Sequence, residues 1–418
     1  MTALNLANSF SLANGANIKN RLFKSAMSEQ LGDKHHNPKI GLAKLYGRWA
    51  NGGIGLAITG NIMIDRNALG EPKNVVLDEQ SDLAEFRRWA DAGKQNNTHI
   101  WPQLNHPGKQ IPSFLCEQPV APSAISLGRG LEKAFNQPRA LSEQEILDII
   151  NKFALSAKLA KQAGFTGVQI HGAHGYLVSQ FLSSRHNQRD DKWGGSLENR
   201  MRFVLEVYKA IRAQVGVEFP IGIKLNSADF MKGGFSEEES MQVVQALADA
   251  GIDLIEISGG TYESPSMMGA DKKTEANTAE QKQTTIKREA YFLDYMEKVR
   301  KLVTSPLVVT GGFRSGVAMN HAITSGATDF VGIARTTVVD PEFPNKLIAD
   351  NAHAMPLTVP TTGKPKLDRA AMVGLVWYEH QMWRIAKGKD PKPDLSAMGV
   401  VLKTMLSAGL YSFRKRRA

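Results

Sequence analysis

PIGIKLNSADFMKGGFSEEESMQVVQALADAGIDLIEIS, residues 220–258, holds the repeating unit of the chain. PIGIKL at 220–225 and DLIEIS at 253–258 read as strands, and the stretch between them, 236–250 after Ser236, has helical periodicity. Strands separated by helices in this way imply a parallel sheet. Outward from this unit the alternation runs from about Asn20 to Asp350, with further strands at about 20–27, 54–60, 98–103, 167–171, 306–310 and 329–333. Other helix candidates are 142–163, where Ser142 and Glu145 have capping-box spacing, 199–214 and 288–301. The eight strand-helix units describe an α/β protein, a single (β/α)8 TIM barrel whose chemistry gathers at the C-terminal strand ends.

Three βα loops on that face are long, at about 105–140, 172–198 and 259–287, and loops of this kind are usually lids or binding loops. The reading divides the chain into a barrel, 1–350, and a basic helical C-terminal extension, 351–418. Of the net charge of +10, the extension holds +8, with twelve Lys and Arg against four Asp and Glu. Two helical stretches are expected there, about 367–386 and 395–413, divided by KGKDPKPD. Met398, Val401, Leu402, Met405 and Leu406 form an apolar stripe on the second, and Arg414, Lys415, Arg416 and Arg417 follow it. Contact with an anionic surface, or packing on the barrel or a sister subunit in a homo-oligomer, would account for that segment.

With 42% hydrophobic and 22% charged residues, collagen-like, disordered and disulfide-scaffold classes are excluded. The single Cys116 excludes an internal disulfide, an iron-sulfur cluster and a four-cysteine zinc site. Neither a membrane-length apolar run nor a secretory leader is evident, and a cytoplasmic location is expected.

Strand four runs into IHGAHGYLVSQFLSSRHNQRDDKWGGSLENR, which brings His171, His174 and Tyr176 within six residues. The Glu of a zincin motif and a third nearby ligand are missing, so no metal is expected. Two imidazole N–H donors at a barrel mouth can instead hold one substrate oxygen, with the tyrosine supplying a proton.

This stretch resembles the old yellow enzyme family, flavin-dependent oxidoreductases that pair two such donors with a following Tyr. Their N-x-R-x-D-x-[WY]-G-G-S-x-E-N-R segment is matched by Asn187, Arg189, Asp191, Trp193, Gly194, Gly195, Ser196, Glu198, Asn199 and Arg200. The resemblance covers about residues 1–350 and implies an FMN enzyme reduced by NADH or NADPH. It puts Ser25, Ala26, Met27 and Ser28 at the strand-one lip against the flavin, and Gly60 where a flat ring needs room. It further assigns Gln103 to the pyrimidine edge, Lys224 to the N1 and O2 side, and Gly311, Gly312, Ala334 and Arg335 to the phosphate. The implied activity is ene-reduction: hydride from flavin N5 to the β-carbon of an activated alkene, a carbonyl oxygen held by His171 and His174, and a proton from Tyr176. A dienoyl-thioester reductase, a flavin enzyme acting on RNA and a non-enzymatic basic binding module are the rival readings; a small-molecule alkene is the expected partner, and no nucleic acid.

Overall fold

Along each strand, side chains point by turns into and out of a closed barrel, and that alternation decides where polar groups meet. A computed structural model describes residues 4–128, 130–259, 293–357 and 359–415, with side chains as far as residue 406. The barrel strands are β1 (Leu22–Lys24), β2 (Leu56–Met63), β3 (His99–Asn105), β4 (Val168–Gly172), β5 (Ile221–Asn226), β6 (Leu254–Ser258), β7 (Leu307–Thr310) and β8 (Phe330–Ile333). Each runs parallel to its neighbours in chain order. The cylinder closes where β1 meets both β2, Phe23 opposite Leu56, and β8, Leu22 opposite Val331. This is the (β/α)8 TIM barrel expected, strand for strand.

The helices outside it include α1 (Ile40–Asn51), α2 (Leu83–Gly93), α3 (Glu143–Gln162), α4 (Leu197–Val215), α5 (Glu237–Asp249), α6 (293–300), α7 (Gly316–Thr324) and the short α8 (Arg335–Val339). Both Ser142 and Ser236 start their helices with reciprocal capping boxes, to Glu145 and Glu239. Each box satisfies two amide donors that a helix start leaves unpaired. Behind its box α5 buries Ser240, Val243, Val244 and Leu247, a stripe with the period of one helix face turned to the strands.

Inside the barrel Phe23, Ile58, Trp101, Leu254, Val308 and Phe330 form an apolar layer. Ile18, on the second strand of an N-terminal hairpin, and Leu12, just after the first, join it and plug the bottom. Two residues further along four of those strands, on the same inward side, stand Ser25, Gln103, Glu256 and Thr310. The interior therefore changes from apolar to polar towards the C-terminal strand ends.

Two further helices, α9 (Val373–Ala386) and α10 (Ala397–Lys415), follow a short turn of helix at Pro365–Ala370. The helix expected over 367–386 is broken at Met372, whose φ of 46° is left-handed. α9 lies against α1 and α8, and Val373, Val376, Trp377, Met382 and Ile385 belong to the buried cluster that the barrel helices form. Trp377 donates from its indole to the Leu395 carbonyl at 2.8 Å, and Gln381 exchanges two hydrogen bonds with the Lys392 backbone, holding the turn before α10. The expected stripe on α10 is divided: Val401 is buried, whereas Leu402, Met405 and Leu406 are exposed. From residue 260 onward the long loop at 259–287 lies outside the described residues, as do the side chains of Arg414 and Lys415 and all of Arg416 and Arg417.

Candidate active site

Register brings the polar layer together. β3 and β4 pair with Gln103 opposite Gln169, β4 and β5 with His171 opposite Lys224, and β5 and β6 with Lys224 opposite Glu256. Gln103 Nε2 donates to Gln169 Oε1 at 2.7 Å, and Gln169 Nε2 to Glu256 Oε2 at 2.8 Å. The other Glu256 oxygen takes the Lys224 ammonium at 3.0 Å and the Thr310 hydroxyl at 2.8 Å; Thr310 in turn meets Ser25 Oγ at 2.8 Å. Three residues assigned from sequence, Ser25, Gln103 and Lys224, are thus tied into one buried network. Gln169, Glu256 and Thr310 were not foreseen, although Glu256 in the middle of LIEIS was a visible signal, since a strand buried on both faces seldom carries a charge without a partner. Glu256 compensates the Lys224 charge and leaves that ammonium with further N–H donors.

Above the network stand the three residues read from the strand-four motif. His174 adopts a left-handed φ of 63° and Gly175 one of 77°, and this tight turn folds His174 and Tyr176 back over His171. The His171 ring centroid lies 5.1 Å from that of His174 and 4.8 Å from that of Tyr176, both edge to face. His171 Nδ1 accepts the Ala173 amide at 3.2 Å, which leaves the proton on Nε2. Ser258 Oγ lies 3.0 Å from His174 Nε2, and the His174 backbone is held by Asn226 and Gln110. Burial, followed by the Lys224 charge, holds both imidazoles well below their ordinary pKa. They are neutral N–H donors. Asn61 donates to the Tyr176 hydroxyl at 3.4 Å.

At the strand-one lip, Ser28 donates to the Glu71 carboxyl group. A side chain at Gly60 would collide with Glu29 and with the Met27 carbonyl, so the missing Cβ makes room for this chain's own lip. Glu29 accepts from the Gly60 amide at 2.9 Å and from Tyr46, and Tyr46 in turn accepts from the buried Lys24 ammonium at 3.0 Å. α9 closes over this lip: Gln30 donates to Glu379 at 3.0 Å and the Trp383 indole to the Glu29 carbonyl at 2.7 Å.

At the far end, Gly312 takes a left-handed φ of 77° after β7, and Ala334 leads into Arg335 after β8. The Arg335 guanidinium lies 5.9 Å from the Tyr378 ring centroid, a contact from α9 that the strand-helix pattern did not foresee. Ala26 and Met27 are partly buried beside the barrel core.

These residues fit FMN. An amide and a compensated ammonium line one side, the Gly311–Gly312 turn and Arg335 stand at the other end, and the buried oxygens that lack partners among the described residues include Asn61 Oδ1, Gln110 Oε1 and Thr336 Oγ1. Buried acceptors without donors are the atoms a bound polar group satisfies. No group of three His, Cys, Asp or Glu among the described residues has the arrangement of a metal site.

Past Tyr176 the long motif is scaffold. Arg189 is bound to Asp191 and donates to the Pro122 and Leu141 carbonyls, while Asn187 holds those of Phe181 and Trp193. It ties the loop after β4 to the loop after β3 and brings no further side chain to the imidazoles.

The NADH:flavin oxidoreductase / NADH oxidase family model matches residues 8–353. The NADH-dependent flavin oxidoreductase iliE of Hypocrea jecorina is 36% identical over 88% of this chain and 94% of its own length. The cinnamate reductase of Clostridium sporogenes is 30% identical over 73% of this chain and 47% of that protein. Among solved structures, a 2-naphthoyl-CoA reductase in complex with 2-naphthoyl-CoA superposes with a TM-score of 0.75 at 28% identity, covering 82% of this chain and 52% of that one. Morphinone reductase, at 23% identity and a TM-score of 0.70 over 85% of this chain and 92% of its own, shares the fold.

Proposed function

Since the chain belongs to the NADH:flavin oxidoreductase / NADH oxidase family, we propose that this FMN- and NAD(P)H-dependent oxidoreductase reduces activated C=C bonds, those of enones and related electron-poor alkenes. The observation that carries the reading is two neutral imidazoles within 5.1 Å of each other beside a buried tyrosine. FMN, when bound, supplies hydride received from the nicotinamide.

His171 and His174 hold the oxygen that activates the alkene. As the β-carbon gains hydride, negative charge gathers on that oxygen and the two N–H bonds strengthen, favouring the transition state over the bound substrate. Neutral rings suit this task because they donate without giving up a proton. Tyr176 delivers its phenolic proton to the α-carbon, completing the reduction. The relative named cinnamate reductase supports an acceptor whose double bond is conjugated to a carboxyl carbon.

The test is His171→Ala combined with His174→Ala. The doubly substituted enzyme is expected to keep its flavin, lose phenolic ligands, and lose about 3–6 kcal/mol of transition-state stabilisation in the oxidative half-reaction. Unchanged enone turnover would remove the assigned role.

A further inference from the structure

The outer side of α9, the turn after it and α10 enclose a cleft of about 350 Å³, outside the imidazole site but on the same rim of the barrel. Its walls are His380, Trp383, Arg384, Lys387, Lys389 and Lys403, with Leu395 at one end. Four of these are cations and none is an acid. Among the described residues no carboxylate lies within ion-pair distance of those four: Asp390 is turned to Arg48 at 3.4 Å, Asp394 to Lys392 at 3.9 Å, and Glu379 faces the barrel. The cations crowd His380 closely enough that, after burial, Lys403 and Lys387 help hold its imidazole down at about 4.

The cleft also has a flat wall. The Trp383 and His380 rings lie 4.5 Å apart at 38°, and the Trp383 indole is fixed in orientation by its bond to Glu29. Uncompensated cations beside a fixed aromatic ring match a ligand with phosphates at one end and a base at the other, in a space at the lower end of the range for small-molecule sites.

We propose that this cleft binds an adenosine diphosphate group, its base against Trp383 and its phosphates held by Arg384, Lys387, Lys389 and Lys403. That group is carried by the reductant, a nicotinamide adenine dinucleotide, and by acyl-CoA thioesters; only the choice between these sources rests on the flavin oxidoreductase reading.

The flavin-loaded full chain is titrated calorimetrically with ADP, adenosine and inorganic diphosphate, at low and physiological salt. One ADP per chain is expected, bound at least about ten-fold more tightly than either fragment and weakening with salt. Lys387→Glu combined with Lys403→Glu, both at exposed positions, is expected to weaken ADP by about a hundred-fold while leaving flavin content and phenol affinity unchanged; Lys403→Gln alone gives a smaller loss in the same direction.

Competition of ADP with NADH in the reductive half-reaction assigns the group to the reductant, and competition with an acyl-CoA in the oxidative half assigns it to a thioester. ADP binding without either assigns the cleft to a free nucleotide, and each of the three supports the site. Absence of saturable ADP binding, displacement of ADP by phenolic ligands, or an affinity untouched by the charge reversals overturns it, as does salt-sensitive sedimentation with anionic vesicles in the absence of ADP binding. Failure of the alkene-reduction reading would leave ADP binding as it was, so the two are separable.

Discussion

Tyr176 and the imidazoles act at different moments, and substitution separates them. Tyr176→Phe removes the proton and keeps the ring that packs against His171 at 4.8 Å. Flavin reduction by NAD(P)H is expected to stay near normal while enone reduction slows by on the order of 10²–10⁴-fold, the range for a lost general acid. Nitroalkenes, whose anions persist long enough to be protonated by solvent, should be less affected. Stopped-flow measurement of the two half-reactions decides it, since equal slowing of both would point to positioning. At this scale the sequence was most informative where chemistry is local. His171, His174 and Tyr176 fall within six residues and were legible. Glu29 and Glu379 are 350 positions apart, and nothing in either neighbourhood announces that they share one buried lip.

Among elements, α9 docks through a carboxyl group whose burial favours the protonated form. Burial and the nearby Glu71 and Glu29 carboxyl groups push Glu379 up to about 8, against the downward pull of Gln30 and Lys73. An unfolded glutamate titrates near 4.3. Between those values the folded chain holds a proton that the unfolded chain has released, and stability falls as pH rises from roughly 4.3 to 8, then levels. Glu379→Gln keeps an oxygen for Gln30 and removes the titration. Its melting temperature is therefore expected to gain on the parent enzyme steadily from pH 5 to pH 8; a constant difference across that range would mean that Glu379 does not titrate there. The strands were legible because a two-residue period and β-branched composition are local properties. The α9 contacts were not, because the apolar positions of 367–386 state that a face is buried without stating against what. Likewise Gly60 was legible as a place needing room, but that Glu29 stands beside it is fixed by the tertiary fold.

For the molecule as a whole, barrel and extension form one packed body over the described residues, and α9 serves the site as well as the core. A chain ending at Thr362 loses the Tyr378 ring beside Arg335 and the Trp383 bond to the lip. Its flavin affinity is expected to fall by about ten-fold or more. A chain ending at Ser396 keeps α9 and is expected to hold flavin normally at a lower melting temperature. Flavin fluorescence titration of both tests this, and equal affinity in the two would confine α9 to a packing role. Among the described residues no helix is long and apolar enough to cross a membrane.

The seam between β1 and β8 also sets a clock. Leu22 leaves the ribosome about three hundred residues before its partner Val331 has been made, an interval of roughly 15–60 s at ordinary synthesis rates. Until then the first strand has one neighbour and an open edge. Tyr378 and Trp383 come later still, so the two ends of the site that α9 completes are made after every barrel strand. Tight loading of the flavin would thereby wait for α9, and a chain stalled short of α9 is one that the cell's quality control would meet before the cofactor does.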